Sequence, residues 1–222
     1  MVPTESRIVA VNRSGNRPRT TVLSHCGLLG TLALMFLLVA CGKDNLAGSG
    51  QPSVIIDTLL VAEDVHIQSD VPDGCYGTGT ELSVVTVVYV GGTTVEHRAY
   101  VKLPPLPSGL DLSRLNWADL ELTYTGADSS RLYAVKAYQV QDDWNEGSVT
   151  WNTSPSSDSV LFDSARVSNH KLTIKVASIY RTGDPDKGII LTTIDGMEQV
   201  FYSSEAADSS LVPIIEIGYA PQ

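Results

Sequence analysis

The chain has 222 residues, 43% hydrophobic and 18% charged, a size at which about 70% of the unfolded surface can be buried in a single core. That composition argues against intrinsic disorder and coiled coil. Fifteen Lys and Arg against 25 Asp and Glu give a net charge of −10, which argues against a phosphate backbone as the main partner, so no nucleic acid is expected.

The first 40 residues differ from the rest. Arg7, Arg13, Arg17 and Arg19 form a basic stretch, and the apolar run over residues 28–40 is too short to span a bilayer but has the length of a signal-peptide core. The run ends in Leu38-Val39-Ala40-Cys41-Gly42, which resembles the lipobox of bacterial lipoproteins. The resemblance implies that Cys41 receives diacylglycerol and becomes the mature N-terminus, giving an exported protein that meets the membrane through its lipid anchor only. Gly42 in place of Asp implies, by likeness to the lipoprotein sorting rules, the outer membrane of a Gram-negative cell, or the outer face of a Gram-positive one. Cys26 leaves with the leader and Cys41 carries lipid, so Cys75 is left alone and no internal disulfide is expected. Residues 41–52, with three Gly and a closing Pro, read as a lipidated cysteine and flexible tether, and the folded domain is expected over residues 53–222. Loss of residues 1–40 removes four Arg and one Glu, leaving 11 cationic against 24 acidic side chains, a net charge of about −13.

From residue 53 onward, short β-branched and aromatic runs of period two alternate with turn residues. Residues 54–61 make a first run. Residues 81–90 (ELSVVTVVYV) make a second, continuous enough to predict burial on both faces, and Gly91-Gly92 predicts a tight hairpin into residues 93–103. Within 118–124, Ala118, Leu120, Leu122 and Tyr124 fall on one face, opposite acids and Thr. Leu172, Ile174 and Val176 alternate in the same way with Lys171, Thr173 and Lys175. Residues 131–140, 188–194 and 211–219 complete the set, and no stretch carries a helical period with caps. About ten strands predict an all-β fold, a two-sheet antiparallel β-sandwich of jelly-roll type.

Chemistry-bearing residues are few. Arg98, Tyr100 and Lys102 share one face of a strand, with Ala99, Val101 and Leu103 on the other. Lys136 and Tyr138 share a face of a second strand, and Lys171 and Lys175 share the solvent face of a third. Strands that are neighbours in one sheet would join these into a basic-aromatic strip on an acidic protein; the plain alternative is scattered cations that solvate the sheet. Trp144 lies in a loop between carboxylates and reads as a lid on the core or as a platform for a sugar ring, while Trp151 reads as core. Asp142, Asp143 and Glu146 are close in sequence, as in a turn or a calcium site. His66, His97 and His170 lack metal-ligand spacing, no G-x-S-x-G occurs, and Cys75 has no nucleophile signature, so no catalytic residue is expected.

The run from Tyr138 to Pro155, with Val140-Gln141-Asp142-Asp143-Trp144 and Val149-Thr150-Trp151-Asn152 at its centre, resembles the signature segment of the DNRLRE-domain proteins, which are related to disaggregatase and to carbohydrate-binding module family 96. Arg98-Ala99-Tyr100-Val101-Lys102-Leu103, Leu120-x-Leu122 and Phe201-Tyr202-Ser203-Ser204-Glu205 agree with it in order over about residues 60–219. The chain departs from the pattern at Pro104 and Pro105, which follow the strand where the family carries another element. The resemblance implies a non-catalytic module that binds a polysaccharide, and for family 96 a uronate-rich one, whose carboxylates suit the Lys and Arg of the strip. No cofactor is expected, with a structural calcium held open because similar jelly-roll modules often carry one. The alternative is a structural or adhesive surface lipoprotein that binds a protein partner.

Overall fold

The computed structural model of the protein describes residues 54–221 apart from Arg131 and Asp195. The leader, the Cys41 lipidation site and residues 42–52 of the tether lie outside the described residues. Eleven strands follow in chain order: β1 (Ile55–Leu60), β2 (Asp64–Gln68), β3 (Glu81–Val88), β4 (Thr94–Val101), β5 (Leu115–Thr123), β6 (Val135–Gln139), β7 (Asp163–Ala165), β8 (Lys171–Lys175), β9 (Ile189–Thr193), β10 (Gln199–Tyr202) and β11 (Ile214–Tyr219). Among the described residues one α-helix, α1 (Ala177–Thr182), joins β8 to β9, and a 3-10 turn over Leu112–Arg114 leads into β5.

The strands form a four-stranded sheet of order β1-β11-β5-β8 and a seven-stranded sheet of order β10-β3-β4-β9-β6-β7, with β2, off this path, pairing β4 over residues 97–101. All the pairings are antiparallel. With β2, β3 and β10 set aside, β1 pairs β11, β4 pairs β9, β5 pairs β8 and β6 pairs β7, so the first half of the chain runs back along the second. One long hairpin rolled into two facing sheets is the jelly roll expected from the strand spacing.

Alternation places the core. Ala118, Leu120 and Leu122 of β5 and Leu172 and Ile174 of β8 are fully buried, together with Ile215 and Ile217 of β11. They meet Leu82 and Val84 of β3, Ala99 and Val101 of β4 and Ile189 and Leu191 of β9 across the sandwich. A second, smaller core lies on the outer side of the larger sheet and holds Val65, Ile67, Tyr100, Val140, Trp144, Val149 and Ile190. Both cores are built from residues between Val61 and Ile217, within the compact unit Ala47–Gln222.

Three local expectations change. The run over residues 81–90 is not buried throughout: β3 projects beyond the sandwich, and Val88, Tyr89 and Val90 are exposed at the hairpin tip. The hairpin itself is as expected, with Gly91 and Gly92 at φ +109° and +86° and the Gly92 amide donating to the Tyr89 carbonyl. The six-residue α1 is too short to show a helical period in sequence, and β2, β7 and β10 are short strands outside the predicted set.

Candidate functional site

Registers decide which of the predicted ligand residues meet. Tyr100 pairs Val65 on one side and Ile190 on the other, and Ile190 pairs Tyr138. These four side chains form a row across the outer face of the larger sheet. Two residues along the same face, Arg98 pairs Ile67 and Lys136 pairs Thr192, and the β4–β9 register, extended one residue past its last pair Ala99–Leu191, brings Arg98 level with Thr192 and Lys136. Arg98 and Lys136 are therefore two strands apart, about 10 Å. Lys102 lies at the opposite end of the same face of the strand.

Residues 141–155 cover much of this face. The Trp144 ring packs on Tyr100, with centroids 5.6 Å apart at 58°, and its Nε1 donates to the Lys187 carbonyl at 2.8 Å. Trp144 is only 8% exposed, so it is the lid and not the sugar platform. Tyr100 is fully buried beneath it, and burial pushes its phenol up to about 12. Lys102 sits 5.0 Å from the Trp144 centroid and pairs with Glu63 at 2.8 Å. Arg98 lies 4.6 Å from the Trp151 centroid and grips Glu96 through two hydrogen bonds of 2.7 and 2.9 Å. Burial works against the Arg98 charge, but Glu96 outweighs it and raises the guanidinium further above its ordinary value. Trp151 is thus half-buried as the stacking partner of Arg98, a role that its reading as core did not contain.

Tyr100 and Trp144 drop out as direct ligand groups because they are buried, while Lys102, its side chain 21% exposed and paired with Glu63, stays at the far end of the face from Arg98. Lys171 and Lys175 drop out of the strip for a different reason: β8 is the edge of the smaller sheet, and its solvent face is the opposite side of the sandwich. Lys171 pairs there with Glu121, and Lys175 faces Asp119. What remains together on the larger sheet is Arg98, whose side chain is 31% exposed, with Trp151, Lys136 and Tyr138. Among the described residues Lys136 enters no ion pair.

The acidic loop is not a metal cage. Asp142 accepts from the Ser156 amide at 2.9 Å and from its hydroxyl, which holds its carboxyl below the usual range, and Asp143 lines an open cavity of about 280 Å³ with Asn145, Ser148 and Thr153. Glu146 turns away toward Asp64 and Glu205, and burial raises its pKa. Among the described residues no three His, Cys, Asp or Glu side chains are grouped as metal ligands would be. Among the described residues, the calcium expectation has no cluster of three acidic side chains behind it.

The motif that carried the family resemblance therefore roofs the outer face of the larger sheet, and a cation pair with two aromatic neighbours stays open beside the roof. No curated protein matches the chain. The sequence model of carbohydrate-binding module family 96 matches residues 56–212, which run from β1 through the roof to just short of β11. Over that span, the chain belongs to carbohydrate-binding module family 96.

Proposed function

We propose that the protein is a non-catalytic surface lipoprotein that binds an acidic, uronate-rich polysaccharide on the outer face of the larger sheet. In this reading residues 1–40 are the signal peptide, Cys41 carries the lipid, residues 42–52 are the tether, and the anchor lies in the outer membrane of a Gram-negative cell. Family membership supports carbohydrate binding. The observation that carries the acidic ligand is the pair Arg98 and Lys136, level with each other, with Tyr138 and Trp151 beside them. A planar guanidinium held by Glu96 and stacked on Trp151 is oriented before a ligand arrives, and the flexible Lys136 ammonium, which enters no ion pair among the described residues, supplies a second contact to a carboxylate.

Exposed ion pairs are worth roughly 0 to 1 kcal/mol each, so two of them with aromatic contact leave a single site weak. Many anchored copies on one polymer make up the difference through effective concentration. Affinity electrophoresis of residues 47–222 in gels containing alginate, pectin or neutral glucan tests the reading. Retardation is expected in the two uronate gels, and Lys136→Ala with Arg98→Ala is expected to weaken it about tenfold. Lys136→Ala alone leaves the Arg98–Trp151 stack in place and controls for the loss of Arg98. Unretarded migration in alginate and pectin rejects the acidic ligand.

The adhesive alternative is favoured by one observation, the exposed apolar tip Val88-Tyr89-Val90. A protein-binding role predicts indifference to Arg98 and Lys136 and sensitivity at the tip.

A further inference from the structure

The opposite face of the sandwich carries an aromatic of its own. In β5, Ala118, Leu120 and Leu122 point into the core, so Trp117, Asp119 and Glu121 point out. Trp117 pairs Gly218 of β11, and its indole lies over that glycine: a Cβ built on Gly218 would come within 2.3 Å of Trp117 Cε2 and Nε1. Any side chain there would lift the ring. Gly218 in turn pairs Ile56 of β1, which is 60% exposed, so the row Ile56, Gly218, Trp117 is an apolar shelf on the outer surface of the smaller sheet. The next row, two residues along, reads Thr58, Glu216, Asp119, Lys175.

We propose that this shelf is a second carbohydrate site, on the face opposite Arg98 and Lys136, and that its ligand is a neutral glycan. The Trp117 indole, partly exposed and fixed by its seat on Gly218, offers a flat apolar surface to the C–H face of a pyranose ring. Glu216 and Asp119, one row away at about 7 Å along the strands, accept hydrogen bonds from ring hydroxyls, and Thr58 completes the polar edge. Two carboxylates against the single Lys175 disfavour a polyanion, which is the reverse of the balance at Arg98 and Lys136. The carboxylates are suited to hydroxyl donors, which a neutral sugar presents all round its ring. The proposal rests on the family's carbohydrate-binding role and not on the uronate assignment.

Electrophoresis of residues 47–222 in gels containing hydroxyethylcellulose, laminarin, xylan or alginate separates the two faces. Retardation is expected in at least one neutral gel, and Trp117→Ala is expected to weaken it about tenfold while leaving alginate retardation unchanged. Arg98→Ala with Lys136→Ala is expected to do the reverse. Trp117→Phe keeps cover over Gly218 if the alanine variant fails to fold. The protein has three tryptophans, and the other two lie on the opposite face, so a neutral glycan should change an emission component that Trp117→Phe abolishes. Wild-type protein unretarded in all three neutral gels overturns the proposal, as does a folded Trp117→Ala or Trp117→Phe variant that matches wild type in both readouts. Failure in alginate alone overturns only the uronate reading.

Discussion

At the first position of β2 the Asp64 side chain is 1% exposed, and its Oδ2 accepts from the Ser204 amide at 2.9 Å while Oδ1 finds no partner. Burial raises its pKa to about 7, with Glu205 and Glu146 adding repulsion. The group is an ordinary carboxylate when unfolded, so the folded state holds the proton more tightly between about pH 4 and 7. Its contribution to stability is therefore full below about pH 4 and declines as pH rises to 7, by about 1.4 kcal/mol for each pH unit crossed. Asp64→Asn keeps an acceptor for Ser204 and has no charge to bury. The variant should match wild type near pH 4 and melt higher near pH 8. Parallel pH profiles of melting temperature for the two proteins would refute the assignment. His66, on the same strand, is also pushed toward its neutral form by burial. Its Nδ1 donates to the Glu81 carbonyl at 3.1 Å, its Nε2 accepts from Gln68, and its ring stacks on Tyr76 at 4.6 Å.

The element that most shapes the site is the roof over residues 141–155, and its signature residues act on the roof itself. Asp142 fixes Ser156, the Asn145 side chain accepts from the Gly147 amide at 2.9 Å, Asn152 donates to Asp73 at 2.8 Å, and Val149 and Trp144 fill the second core. Trp144→Ala should cost about 3 kcal/mol by removing a buried ring and leaving a cavity above Tyr100. Urea denaturation measures it, and a loss below about 1 kcal/mol would mean that the roof is not packed as described. This roof also explains what was legible in sequence. The period-two alternation found the inward residues of β4, β5 and β8, because each strand's own pattern records which side meets the core. It put Arg98, Tyr100 and Lys102 on one face correctly, yet it had no means of showing that a loop forty residues later buries Tyr100. Sheet membership was equally hidden: Lys175 and Lys136 look alike along the chain, and only the pairing of β8 with β5 and of β6 with β9 sends them to opposite sides. Trp117 gave no local signal either, since its exposure as a shelf depends on a glycine about 100 residues away.

For the whole molecule, the net charge of about −13 on residues 41–222 and the local cations at Arg98 and Lys136 oppose each other in any encounter with a polyanion. Ionic strength separates the two because it sets the range of each. At 0.01 M salt the screening length is about 30 Å, so the acidic body repels an alginate chain as a whole. At about 0.1 M the length falls to about 10 Å, close to the separation of the two cations, and the local contacts act while distant carboxylates are screened. At 1 M, about 3 Å, the contacts themselves weaken. Retardation in alginate gels is therefore expected to pass through a maximum near 0.1 M salt, whereas retardation by a neutral glycan on the Trp117 shelf should stay flat across the range. A steady decline from the lowest salt upward would show that the body's charge does not oppose binding, and an alginate response as flat as the neutral one would remove ion pairing from the mechanism.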